Sequence, residues 1–79
     1  MPRLIRVSGG RLVKILQNLV FSVTRQRGSH VRMAKKQDGC TYYVTIPLHP
    51  MIDRGTLGSI VRSISACIPE EIIRSFFFK

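Results

Sequence analysis

The sequence predicts an α+β fold in which a helix, a three-stranded antiparallel sheet and a second helix follow one another, with a short third helix at the C-terminus. Two segments repeat apolar residues with the period of a helix, and three segments between them are alternating or rich in β-branched and aromatic residues. The connections between those three segments are too short for anything but an antiparallel meander. Such a sheet needs one face covered, and the two helices would cover it. We expect residues 1–79 to form a single domain.

The first helix is predicted over residues 7–19. Ser8 is a favourable N-cap, because its hydroxyl can accept a hydrogen bond from an unpaired N–H of the first turn. Val7 before this cap and Leu12 after it could form a hydrophobic staple. The apolar stripe of the helix has the i, i+3, i+4, i+7 spacing and consists of Leu12, Ile15, Leu16 and Leu19.

Three strands are predicted next, in the segments FSVTRQR, HVRMA and TYYVTIP. Gly28 and Ser29 separate the first two segments. Asp38 and Gly39 between the second and third are a hairpin signal, because glycine tolerates positive φ.

Strand alternation assigns the side chains of the sheet to two faces. If Val31 and Met33 enter the core under the helices, His30 and Arg32 point to the opposite, open face. In the third strand the same rule predicts a core set and an open set, namely Tyr42, Val44 and Ile46 against Tyr43 and Thr45.

The turn before His30 leaves two registers for the first strand. A two-residue turn pairs Arg27 with His30, but it places Phe21 and Val23 on the open face. A three-residue or bulged turn returns both apolar residues to the core and sets Gln26 beside His30. We prefer the bulged turn, because apolar burial normally sets register. His30 faces outward in both cases.

The segment LHPMIDRG is predicted as a loop, and a second helix begins after it between Asp53 and Thr56, either of which could cap it. The apolar stripe of this helix consists of Leu57, Ile60, Val61 and Ile64. Pro69, Glu70 and Glu71 predict the first turn of a short third helix, because proline fits there and acids favour the positive end of the helix dipole.

The charge of the chain indicates its partners. Thirteen Lys and Arg against four Asp and Glu give a net charge of +9, which favours nucleic acid, an anionic membrane or an acidic protein. No apolar run approaches the ~20 residues of a membrane span, and the start lacks the apolar middle of a signal peptide. We therefore expect a cytoplasmic protein that binds nucleic acid or an acidic protein and does not enter a membrane.

The cysteines and histidines do not predict a metal site. Cys40 and Cys67 are expected to be reduced thiols. Two cysteines and two histidines without ligand spacing make zinc improbable, so neither a metal nor another cofactor is expected.

Five cations lie close to His30 within a stretch of twelve residues: Arg25, Arg27, Arg32, Lys35 and Lys36. A charge run usually marks a solvated face, and a strand histidine is often only a surface residue. Here the run lies on a sheet face that the core does not need, in a chain of high net charge. We therefore interpret this face as an anion-binding surface with His30 as a candidate for proton transfer.

Four strings of the sequence resemble the HicA toxins of bacterial and archaeal toxin–antitoxin pairs: SGGRLVKILQNLVF, RQRGSH, YVTIPLH and RGTLGSIVRSI. The resemblance spans nearly the whole chain. It implies a fold like that of double-stranded-RNA-binding domains and an mRNA interferase activity that cleaves RNA. The catalytic histidine of the family is the one in Gly-x-His, which matches His30, with Gly28 and Ser29 forming the turn before it. The resemblance also implies a HicB antitoxin, acidic where it contacts the toxin, that covers the histidine. The protein would then be a monomer alone and part of a hetero-oligomer with its antitoxin.

Residues and resemblance together predict an endoribonuclease that needs no metal, because the ribose 2′-OH is an internal nucleophile. RNA phosphates would lie among the five cations, and His30 would take the 2′-OH proton or deliver one to the leaving 5′-oxygen. One alternative is a non-catalytic RNA-binding module of the same fold, and another is a protein whose basic face serves only an acidic partner. Tyr43 could stack a base or be an ordinary strand residue. His49 could be a second proton-transfer group or an exposed loop residue.

Overall fold

The order of elements in a computed structural model, which describes residues 3–79, is the predicted one. The helices and strands are α1 (Gly9–Asn18), β1 (Ser22–Arg27), β2 (His30–Gln37), β3 (Cys40–Pro47), α2 (Arg54–Ile64) and α3 (Glu70–Phe77). The strands form one antiparallel sheet in the order β1-β2-β3. This confirms the α+β fold that resembles a double-stranded-RNA-binding domain. No helix within residues 3–79 is long and apolar enough to cross a membrane.

Side-chain caps begin both long helices. Ser8 Oγ accepts a hydrogen bond of 3.1 Å from the Arg11 N–H, so α1 begins after Ser8 and is shorter than predicted. Asp53 accepts hydrogen bonds from the Thr56 N–H at 3.0 Å and the Thr56 hydroxyl at 2.7 Å. Asp53 is therefore the cap of α2, which decides between the two candidates. These bonds from Thr56 lower the pKa of Asp53 below its usual 3.8.

The core lies between the sheet and the helices, which pack mainly over β3. Most of the core comes from the apolar positions predicted for α1, α2, β2 and β3. These buried residues include Leu12, Leu16, Val31, Met33, Val44, Ile46, Leu57, Ile60, Val61 and Ile64. Tyr42 and Ile15 are half-buried at its border. Ile73 and Phe77 dock α3 onto it.

The turn between β1 and β2 has two residues, and Arg27 lies opposite His30. The preferred bulged turn, with Gln26 beside His30, is therefore wrong. The irregularity lies further back in β1, between Val23 and Arg25. Thr24 is the extra residue, and its hydroxyl donates a hydrogen bond of 3.2 Å to the Arg32 carbonyl oxygen.

The bulge at Thr24 changes the face of the residues before it. Strict alternation would place Phe21 on the same face as Arg27. With the bulge between them, Arg27 faces outward while Phe21 is buried in the core and only 3% exposed. Val23 lies opposite the buried Met33 but remains 44% exposed. Every residue of β1 is exposed, because β1 is an edge strand and the helices pack mainly over β3. The expectation that Val23 would join the core is therefore wrong.

Candidate active site

His30 is the first residue of β2, and its side chain is exposed on the open face of the sheet. Its partners across the two ladders are Arg27 in β1 and Pro47 in β3. The next residue, Val31, is buried, as strand alternation requires. The predicted facing of His30 is confirmed.

Gly28 and Ser29 hold His30 in place through the backbone. Gly28 has φ +58°, a conformation that side chains rarely tolerate, while no heavy atom lies within 4 Å of a Cβ added there. The turn thus needs glycine for its backbone angle and not for space. The Ser29 carbonyl oxygen accepts a hydrogen bond of 2.6 Å from the Leu48 N–H, which fastens the turn to the end of β3.

Three of the predicted cations, Arg25, Arg27 and Arg32, lie beside His30 on the open face. With His30 they form two cross-strand pairs, which we call the cationic rows. Arg27 lies opposite His30, and Arg25 lies opposite Arg32. Lys36 shares this face but lies near the β2–β3 hairpin, opposite Thr41. The cations close to the histidine on the open face are therefore the three arginines.

Lys35 does not belong to this surface. It alternates to the other face of β2, opposite Tyr42, and is half-buried. Its ammonium group donates a hydrogen bond of 3.2 Å to the Leu19 carbonyl oxygen at the end of α1. The expectation that Lys35 lies among the cations around His30 is therefore wrong, because strand alternation turns Lys35 to the face opposite that of His30.

The arginines at the site form no salt bridge with any acid in the described part of the chain. Within residues 3–79 the one salt bridge joins Glu70 and Arg74 in α3, at 2.7 Å. The positive charge of the open face is thus not neutralised by an ion pair within these residues. In the same part of the chain, no group of three His, Cys, Asp or Glu residues could hold a metal ion.

Arg32 extends from the site toward β3. Its guanidinium carbon lies 4.3 Å from the centre of the Tyr43 ring, a cation–π contact. Both residues border a cleft of about 290 Å³ that Thr45 of β3 and Ser59 and Ser63 of α2 complete. Tyr43 is 54% exposed, so one side of its ring remains accessible.

His49, the second histidine, lies at the same end of the sheet. It follows Pro47, the partner of His30, by two residues, and its side chain is exposed. Its carbonyl oxygen accepts a hydrogen bond of 2.9 Å from the Gly9 N–H at the start of α1. The sequence could not show this proximity, because it depends on the register of β2 and β3.

A comparison with protein-family models finds a match over residues 9–65 to the family described as the HicA toxin of bacterial toxin–antitoxin systems. The matched region begins with α1 and ends just after α2, so it includes the sheet and both histidines and leaves out α3. No curated protein and no solved structure shows a significant match to the chain.

Proposed function

Because the chain belongs to the HicA family of toxins from toxin–antitoxin systems, we propose that it is an endoribonuclease, an mRNA interferase that cleaves RNA without a metal ion by proton transfer at His30. The observation that carries the proposal is the setting of His30. Its ring is exposed on the open face, next to a two-residue turn and directly opposite Arg27.

Arg25, Arg27 and Arg32 would bind the RNA backbone. Their charges are not paired with an acid within residues 3–79, so phosphates can replace their counterions. Each phosphate contact on a single strand contributes about −0.7 to the slope of log affinity against log salt. Phosphate binding alone does not select RNA over DNA. That selection would come from the reaction, because only RNA has a 2′-OH to serve as the nucleophile.

The proposed reaction requires one proton to leave the 2′-OH and one to reach the 5′-oxygen. As the 2′-oxygen bonds to phosphorus, the bond from phosphorus to the 5′-oxygen breaks. The products are a 2′,3′-cyclic phosphate and a free 5′-OH. His30 would act as general base or general acid, a role that contributes about 10²–10⁴-fold to the rate.

The test compares the parent protein with His30→Ala on an RNA oligomer and its DNA counterpart, in the presence of a chelator. We expect the parent to cut RNA only, and His30→Ala to be slower by about 10²–10⁴-fold while melting at the same temperature. Equal cleavage by the two proteins would disprove the role of His30. If neither protein cuts RNA and both bind it, the chain is a non-catalytic RNA-binding module.

The cationic rows have a charge-matched control. Arg27→Gln should weaken RNA binding and reduce the salt slope by about 0.7. Arg62→Gln removes the same charge from an exposed position at the end of α2, on the helix side of the sheet. This control should change neither the RNA affinity nor the salt slope strongly. Equal weakening by both variants would mean that only the net charge matters.

The toxin family implies an antitoxin partner. We propose that this partner is HicB-like, is acidic on the contacting surface and covers His30, giving a hetero-oligomer in the cytoplasm, while the free toxin is a monomer. The net charge of +9 supports an acidic contact surface. Arg27→Gln should then lower the association rate more than Arg62→Gln does, measured by stopped-flow mixing at low and high salt.

A further inference from the structure

The geometry points to His49 as a second catalytic residue that acts with His30 on the same phosphate. This inference rests on the proposed RNA cleavage and goes beyond it. The chain has only two histidines, and the fold brings both to the end of the sheet where β2 begins and β3 ends.

The register fixes how far apart they are. His30 is paired with Pro47, and the ladder continues one step past this pair through the bond from the Leu48 N–H to the Ser29 carbonyl oxygen. β3 ends at Pro47. For a chain that stays extended over the next two residues, the ~4.8 Å between adjacent strands and the ~3.3 Å rise per residue put the Cα atoms of the two histidines about 8 Å apart. Two imidazole side chains at that separation can reach opposite sides of one phosphate.

Alternation puts His49 on the face of His30. Ile46 is buried and Leu48 packs against the core, so these two residues point toward the helices. Pro47 shares the face of its ladder partner His30, although it is buried. An extended chain puts His49, two residues further on, on that same face. The side chain of His49 is exposed there.

The backbone of His49 is held from two sides. On one side, the Leu48 N–H is bonded to the turn that carries His30, at 2.6 Å. On the other, the Gly9 N–H at the start of α1 donates to the His49 carbonyl oxygen at 2.9 Å. A proton-transfer group has to stay within hydrogen-bond reach of the reacting atoms, and a backbone fixed in this way meets that need better than a free loop does.

The reaction has a place for this second group. One imidazole, in its neutral form, would take the 2′-OH proton while the 2′-oxygen bonds to phosphorus. The other, as imidazolium, would give its proton to the 5′-oxygen while the bond from phosphorus to that oxygen breaks. The two rings end with exchanged protonation states, and no proton is gained or lost. With His30 alone, one ring would have to perform both transfers.

The experiment uses two versions of one RNA oligomer whose cleavage site has been mapped with the parent protein. The second version carries sulfur in place of the 5′-oxygen at that site. A thiolate leaves without being protonated, because thiols are far more acidic than alcohols. Loss of a general acid therefore slows cleavage of normal RNA and not of the sulfur version, whereas loss of a general base slows both.

The variants are His30→Ala, His49→Ala and His49→Gln, with Met51→Ala as control because Met51 is an exposed residue of the same loop. We expect each histidine variant to slow cleavage of normal RNA by about 10²–10⁴-fold and Met51→Ala to match the parent. On the sulfur RNA, only one of the two variants His30→Ala and His49→Ala should cut at the parental rate. The histidine that is missing from this rescued variant is the general acid. Both His49 variants keep the bond from Gly9, so their melting temperatures should stay at the parental value.

The inference is overturned if His49→Ala cuts normal RNA at the parental rate. It is also overturned if the sulfur RNA rescues both single variants or neither, because His49 would then not share the two proton transfers with His30. Cleavage that depends on His30 and not on His49 would leave the proposed function intact. If the parent itself cuts no RNA, the proposed function and this inference both fail.

Discussion

Replacing Gly9 by alanine should destabilise the protein, whereas the same change at Gly10 should not. A Cβ added at Gly9 would overlap the carbonyl oxygen of Pro47 and lie 2.6 Å from the Cα atom of Leu48. Both are backbone atoms, which cannot turn aside as a flexible side chain does. At Gly10, no heavy atom lies within 4 Å of the added Cβ.

The pair of variants isolates the cost of this close approach. Alanine is favoured over glycine in a helix by up to about 1 kcal/mol, and this gain applies to both positions. Overpacking costs about 1–3 kcal/mol, and it falls on Gly9→Ala only. We therefore expect the free energy of unfolding of Gly9→Ala to lie about 2 kcal/mol below that of Gly10→Ala. For a domain of this size, 1 kcal/mol shifts the melting temperature by about 4–8 °C, so the two midpoints should differ by about 8–16 °C.

Thermal and urea unfolding of the parent and both variants, followed by circular dichroism, measures this difference. A melting temperature of Gly9→Ala equal to or above that of Gly10→Ala would refute the reasoning. Gly9 also bonds the backbone of His49, and Pro47 is the partner of His30. RNA cleavage by Gly9→Ala, assayed well below its midpoint, should therefore be slower than cleavage by Gly10→Ala.

Three further variants or measurements test local features. Val20→Gly should raise the melting temperature, because Val20 has φ +70° and is 71% exposed, and the left-handed conformation costs a side-chain-bearing residue about 1–2 kcal/mol; a lower midpoint would contradict this. In the native protein, Cys40, which is exposed, should react with a thiol reagent quickly, and Cys67 only on unfolding, since burial limits access and raises its pKa; two equally fast thiols would refute the burial of Cys67. Asp53→Ala should melt below the parent at neutral pH, and because the bonds from Thr56 lower the pKa of Asp53, this gap should narrow as the pH falls below 3.8; a gap unchanged at low pH would exclude the ionised cap as its cause.

Local signals made much of the fold predictable. The cap at Ser8 depends on residues three positions away, and the Asp38-Gly39 hairpin has the positive φ angles expected from its sequence. The predicted alternation around His30 is observed, because Val31 and Met33 on either side of Arg32 are both buried in the core. In each case the residues that decide the structure are close together in the chain.

The register of β1 was not predictable in the same way. Burial of Phe21 required the strand register to shift by one residue somewhere between Phe21 and His30. The alternation of apolar and polar residues does not show where this register shift lies. The position was decided by long-range packing, because the helices cover Phe21 and leave Val23 at the edge. The proximity of His49 to the site has a similar origin, in a ladder bond that continues past Pro47.

The position of this shift determines which charges face the candidate site. A bulge in the turn itself would have kept Phe21 in the core, but it would have set Gln26 beside His30 and turned Arg25 and Arg27 toward the helices. With the bulge at Thr24 instead, the residues after it keep the register of a tight two-residue turn, and both arginines share the face of His30.

This arrangement has a cost for the fold. Arg25 and Arg32 are direct cross-strand partners, and like charges in such positions destabilise a sheet. The guanidinium group of Arg32 lies over Tyr43 of β3, on the side away from Arg25. With no acid paired to either arginine within residues 3–79, an anion such as an RNA phosphate is the partner that would remove the repulsion. The like-charged pair that costs the folded chain stability by itself is therefore the pair that the proposed RNA phosphate would stabilise.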